Sequence, residues 1–186
     1  MSFTISKMLP LGTKAPAFKL HDTISGVDVT LDEIMSDKAT VIMFICNHCP
    51  YVIHVNREIV NVANDYMKQG VSFAAISSND ALNYPDDAPD KMRIVAKVLQ
   101  FPFPYLHDET QEVAREYDAA CTPEFYVFDG EGKLFYRGRL DDSRPDNGQP
   151  LTGKDLRNAI DLVLENSPAP EKQYPSGGCN IKWKQD

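Results

Sequence analysis

The sequence predicts an α/β domain: a central mixed β-sheet flanked by helices, with a β-hairpin extension on its N-terminal side. Three observations carry this. Residues 40–45 form a continuously apolar run rich in β-branched side chains, the pattern of a central strand covered on both faces. From Pro50 the hydrophobic period changes to three and four. A second buried strand follows at 71–77, so strand, helix and strand make a βαβ unit. Finally, the turn Asp129-Gly130-Glu131-Gly132 joins strands at 124–128 and 133–138, which must then be antiparallel.

In chain order, residues 1–15 read as an irregular arm. Two short strands, 16–20 and 26–31, are joined by a polar turn through Asp22, Thr23, Ser25 and Gly26, and give the hairpin extension. A helical turn at 32–35 precedes the central strand. The helix opening at Pro50 places Val52, Val55, Ile59, Val62, Ala63 and Tyr66 on one face. Proline suits its first turn and Gly70 its stop. Residues 78–89 form a loop in which Asp86-Asp87 reads as solvated. Pro89 opens a helix bearing Met92, Val95, Val98 and Leu99, followed by a short strand at 105–107 and a short helix at 110–117. Thr152 with Asp155 looks like a capping box for a helix carrying Leu156, Ala159, Ile160, Val163 and Leu164. From Ser167 onward Pro168, Pro170, Pro175, Gly177 and Gly178 argue against regular structure. The expected organisation is one domain, 1–166, and an irregular tail, 167–186, which Ile181 and Trp183 could dock to the body.

A chain of 186 residues can bury one full core. A net charge of −8 without a basic run argues against nucleic acid or an anionic membrane as partner. No apolar run approaches the roughly 20 residues of a spanning helix. Residues 1–14 lack the apolar core and small-residue cleavage site of a signal peptide, so the expected location is cytoplasmic. Structural disulfides are rare there, which turns attention to Cys46 and Cys49 as a transient redox pair or a metal half-site.

Those cysteines stand in Cys46-Asn47-His48-Cys49, where the central strand hands over to the helix at Pro50. With Thr122-Pro123 before a later strand, the order of elements over roughly 12–165 resembles the thioredoxin superfamily. The opening Leu11-Gly12-Thr13-Lys14-Ala15-Pro16-Ala17-Phe18 is similar to that of peroxiredoxins and other AhpC/TSA-type redoxins. So is Cys46-Asn47-His48-Cys49-Pro50, with Cys46 where a peroxidatic motif has threonine. A histidine before the second cysteine resembles the disulfide isomerases. The segments 140–145 and 175–183 look like those of a bacterial redoxin-type thioredoxin-like family. There are departures: no tryptophan precedes Cys46, the incoming strand holds no buried acid, and only Arg139 or Arg115 could stand for the peroxidase arginine.

The resemblance implies a thioredoxin-like fold, no cofactor, and a cis proline at 123 lying against the cysteines. It implies a protein or small-molecule disulfide as substrate and a thiol reductant as second partner. Thr122 and Pro123 would then offer an outward-facing backbone on which an extended substrate could pair. At a helix N-terminus the partial positive charge favours a thiolate, lowering a cysteine pKa from about 8.5 into the range of about 3.5–7.5. Cys46, ending the strand, is expected to be the exposed attacking thiol, and Cys49, one turn in, the buried resolving one. His48, when protonated, would make the pair more oxidising than thioredoxin at about −270 mV; its bland alternative is a solvated residue with no role. Cys179 is either an additional resolving thiol or a spare exposed one, whereas Cys121 reads more simply as packing.

Two rival functions belong beside the oxidoreductase. One is a thiol peroxidase in which Cys49 becomes a sulfenic acid, resolved by Cys46 or Cys179. The other is a metal-binding or copper-delivery module using Cys46, Cys49 and a histidine. Against a zinc site, Cys121, Cys179, His54 and His107 supply neither a second CxxC nor an HxxxH. His21, His54 and His107 read as ordinary surface or hydrogen-bonded residues.

Overall fold

The structure is a computed structural model that describes residues 3–185; Met1, Ser2 and Asp186, counted in the expected arm and tail, lie outside the described residues. At its centre is β4 (Ala39–Phe44), all six residues buried. This strand runs parallel to β5 (Val71–Ser77) and antiparallel to β8 (Glu124–Asp129). Outward on one side follow β6 (Tyr105–His107), then the hairpin β2 (Lys19–Asp22) and β3 (Asp28–Thr30); on the other lies β9 (Leu134–Gly138). The seven-stranded order is β3-β2-β6-β5-β4-β8-β9. Mixed pairing and the edge hairpin are those the sequence predicts.

Helices cover both faces, as the unbroken apolar run in β4 requires. Val41 and Met43 point into a core shared with α2 (Pro50–Met67), α3 (Pro89–Leu99) and α5 (Lys154–Leu164). Ile42 and Phe44 point into a second core with α1 (Leu31–Ile34) and α4 (Glu112–Glu116). In α3 the buried face is Met92 and Ala96, while Val98 is left exposed. Among the described residues no helix is long and apolar enough to cross a membrane.

Three expectations need correction. The N-terminal arm holds a strand, β1 (Phe3–Ile5), and the tail expected to be irregular holds another, β10 (Gly177–Asn180). With β7 (Cys121–Thr122) they make a second, antiparallel sheet ordered β1-β10-β7. The glycines that read as breakers are what lets β10 in: a Cβ on Gly178 would collide with the Thr122 carbonyl oxygen. The third correction is the start of α5. Its N-cap is Gly153 at φ 67°, without a side-chain cap, and the N–H groups of Thr152 and Gly153 donate instead to Asp141 Oδ2 at 2.7 and 2.6 Å. The chain does have a capping box, formed by Thr30 and Glu33 at α1.

Candidate active site

Cys46 and Cys49 occupy the connection between β4 and α2. Ile45 N–H donates to Ile76 O at 3.0 Å and carries the strand direction one residue past its end. Cys49 is the N-cap of α2, and Pro50 fills the first helical position, where no N–H is needed. Both thiols are buried, at 2% and 0% exposure, so Cys46 is not the exposed member that the sequence predicts.

The Thr122-Pro123 peptide is cis. It brings Thr122 Oγ1 to 3.4 Å from Cys46 Sγ, while the Thr122 carbonyl lies 3.3 Å from Cys49 Sγ and accepts from it when that thiol is protonated. Thr122 is not an open platform, however. Its backbone is paired with Cys179 of β10, and this puts Cys179 Sγ at 2.7 Å from Cys49 Sγ. Three of the four cysteines therefore meet at one point, none of them in a disulfide. Cys121 is also buried, which pushes its pKa up; its nearest polar partner is Glu124 at 3.9 Å.

The charge in this cluster belongs on Cys49. Donation from Cys46 S–H, opposed by burial and helped by Cys179, Thr122 and the Val52 N–H, draws Cys49 down to about 5. Cys46 moves well upward, through its hydrogen bond to Cys49, its burial, and the nearby Asp87 carboxylate. Burial, then Cys49, pushes Cys179 up to about 12. The charge thus falls on the thiol expected to resolve rather than on the one expected to attack: Cys49 accepts from Cys46, Cys179 and the Val52 N–H, whereas Cys46 donates to Cys49, is buried and has Asp87 nearby.

That acid is the residue sequence reasoning missed. Asp87 closes a 3-10 turn at Pro85–Asp87 and is fully buried rather than solvated. Its Oδ1 accepts from Asn47 N–H at 2.7 Å and its Oδ2 from Asn79 Nδ2 at 2.7 Å. His48 Nδ1 comes within 2.7 Å of Oδ2, without the alignment of a hydrogen bond, and its ring stacks on Tyr84 at 5.6 Å. Nothing near Asp87 in the chain announces this. The only signal was at the other end, in a CxxC turn whose backbone donors had no predicted acceptor.

His48 therefore faces Asp87 and Tyr84. One ligand atom from each of Cys46, His48 and Asp87 lies within 4.8 Å of the others, and Cys49 stands outside this group. A copper site built from both sulfurs and a histidine finds no support in that arrangement. Arg139 is engaged by Asp155 at 2.6 Å and by the Tyr174 ring, and Arg115 lies over Trp183. Both arginines thus have partners of their own among the described residues. His54 bonds Ser143 and His21 lies near Asp28, in keeping with ordinary surface roles.

A second buried charge holds the cis-proline segment. Arg137 and Glu124 are both fully buried and pair at 2.7 Å; Glu124 Oε2 accepts from Ala120 N–H at 3.0 Å, and Arg137 donates to Asp118 O at 2.6 Å. The strand β7 is thereby clamped from beneath.

The chain matches the AhpC/TSA family over residues 11–137. No curated protein matches. Among solved structures, an uncharacterized conserved protein from Geobacillus kaustophilus is 60% identical, with 100% of this chain and 98% of that one covered and a TM-score of 0.98. A hypothetical protein from Sinorhizobium meliloti 1021 is 42% identical over 98% and 100%, at a TM-score of 0.96. The thioredoxin domain of a thiol-disulfide oxidoreductase from Bacteroides vulgatus matches at TM-score 0.64 and 18% identity, over 84% and 99%, which speaks to the fold alone. The fold is thioredoxin-like, and with most of its length matched the chain belongs to the AhpC/TSA family.

Proposed function

We propose that the chain is a thiol-disulfide oxidoreductase in which Cys46 and Cys49 cycle between dithiol and disulfide. One observation carries this reading: two free cysteines hydrogen-bonded to each other at the N-terminus of an 18-residue helix, with the Cys49 pKa drawn down and that of Cys46 raised. The Cys49 thiolate attacks one sulfur of a substrate disulfide, and the other substrate sulfur leaves as a thiolate that is protonated from solvent. Cys46 then gives up its proton and attacks Cys49 Sγ. The second substrate thiolate leaves, and a Cys46–Cys49 disulfide remains for a thiol reductant to open. Thr122 serves here through its hydroxyl and carbonyl on the two sulfurs, and Asp87 holds the turn between them. The substrate is a protein or small-molecule disulfide.

A second reading, peroxide reduction at Cys49, is favoured by the low pKa of that thiol and by membership of the AhpC/TSA family. Cys46→Ser and Cys49→Ser separate the two. The oxidoreductase reading expects Cys46→Ser, with Cys179 also replaced by serine, to hold a mixed disulfide on Cys49 and wild type to react slowly with hydrogen peroxide. Rapid peroxide consumption, with a sulfenic acid on Cys49 of that doubly substituted protein, would establish the peroxidase instead.

A further inference from the structure

The strand β10 occupies the backbone edge beside the cysteines. Cys179 lies opposite Thr122, and Asn180 opposite Cys121, in antiparallel register. On its other side β10 is paired with β1, Phe3 opposite Cys179. It is also tied down at both ends. Ser176 N–H donates to Ser6 Oγ at 3.0 Å, Ile181 N–H to Ala120 O at 3.1 Å, and Lys182 N–H to Asn79 Oδ1 at 2.8 Å. Asn79 also bonds Asp87, so the tail is fastened to the residue that fixes the CxxC turn. An extended segment added to a sheet edge is a recurring mode of peptide recognition. Here the chain supplies that segment itself, with a cysteine at the position facing Cys49.

We propose that Cys179 is a third redox-active thiol, presented by β10 as an intramolecular substrate strand, and that Cys49 is the shared sulfur of two alternative disulfides, Cys46–Cys49 and Cys49–Cys179. The 2.7 Å separation of Cys49 Sγ and Cys179 Sγ lies inside the van der Waals distance of two sulfurs, so the folded chain already holds the two reacting atoms against each other. From a mixed disulfide on Cys49, Cys179 loses its proton and attacks Cys49 Sγ, forming the Cys49–Cys179 bond and releasing the substrate sulfur as a thiolate that takes up that proton. From the Cys46–Cys49 disulfide, the same attack breaks that bond, and the proton passes from Cys179 to the departing Cys46 thiolate. The second exchange moves a disulfide without net oxidation. It carries the oxidised state from the CxxC turn to a strand shared with the N-terminal β1. The high pKa of Cys179 in the reduced protein keeps it a thiol until Cys49 has given up its negative charge to a disulfide.

This inference rests on Cys49 exchanging with disulfides, and the test keeps the two apart. The small disulfide 5,5′-dithiobis(2-nitrobenzoate) releases one coloured thiolate when it is attacked and a second when the mixed disulfide is resolved within the protein. Cys46→Ser is expected to release two equivalents and to yield a Cys49–Cys179 linkage on peptide mapping. Cys46→Ser/Cys179→Ser is expected to release one and to keep the probe on Cys49. Release of only one equivalent by Cys46→Ser, with Cys179 still open to alkylation after denaturation, would overturn the proposal. The Cys179→Ser variant reports on the underlying reading: two equivalents through Cys46 uphold it, one or none defeats it. Should Cys46→Ser fail to fold, mapping of oxidised wild type decides. Both linkages are expected, and a Cys46–Cys49 linkage alone would count against Cys179.

Discussion

Asp87 Oδ1 accepts the Asn47 backbone N–H at 2.7 Å, so a carboxylate 40 residues downstream holds the turn between Cys46 and Cys49. The same carboxylate disfavours a negative charge on Cys46. One buried acid thus shapes the motif and adds to what keeps the charge off Cys46.

Replacing Asp87 by Asn should separate these effects. Loss of charge should move the alkylation midpoint of Cys46 to lower pH, measured in a Cys49→Ser background. Asn keeps one acceptor oxygen and sets an NH2 group against either the Asn47 N–H or Asn79 Nδ2, and the donor left unpaired should cost about 1–3 kcal/mol in chemical denaturation. A large stability loss with no change in the Cys46 profile would leave Asp87 with a purely structural part.

For Cys49 the sign of the pH dependence follows from a folded pKa of about 5 against an unfolded value near 8.5. Its reaction with iodoacetamide in the reduced protein should rise with a midpoint near pH 5 and be flat above neutrality. A depressed pKa stabilises the fold above the unfolded value and ceases to do so as pH falls through the folded one. Reduced wild type should therefore lose stability relative to Cys49→Ser as pH falls from about 8.5 to about 5.

Arg137→Met tests the clamp under the cis-proline segment. It leaves Glu124 buried without its cation, a change that typically costs about 3–5 kcal/mol. Replacing Glu124 by Gln at the same time should recover part of that loss. Urea denaturation of the two variants checks both statements.

Gly178→Ala addresses β10. Its new Cβ would meet the Thr122 carbonyl and push the strand off β7, with an overpacking cost of about 1–3 kcal/mol. Cys179, 3% exposed in the wild type, should become alkylated much faster in the native protein. Amide exchange at residues 177–180 should accelerate with it.

The strands and helices of the main sheet were legible because their signal is local: an unbroken apolar run for β4, a period of three to four for α2, a glycine turn between β8 and β9. The pairing of Cys46 with Cys49 and their approach to Thr122-Pro123 were legible from spacing and resemblance. What escaped depends on partners distant in sequence. Gly177 and Gly178 break a strand considered alone, yet become necessary once β10 must pass the Thr122 carbonyl. Asp87 reads as solvated until Asn47, His48 and Asn79 surround it. Cys46 reads as the exposed attacking thiol until both sulfurs prove buried and Cys49 is found to accept from Cys46 and Cys179. Cys179 joins the site only because the tail returns to it, 130 residues after Cys49.

The central claim is that Cys46 and Cys49 form a reversible redox pair. Its most direct measurement uses the Cys179→Ser variant, which removes the competing partner. The protein is equilibrated in glutathione buffers of graded potential, quenched with acid, alkylated and mapped by mass spectrometry. The account predicts that Cys46 and Cys49 lose and regain alkylation together across one two-electron transition, with Cys121 alkylated throughout. If both sulfurs remain alkylated at every potential, or Cys49 collects only glutathione without ever bonding to Cys46, the account is contradicted.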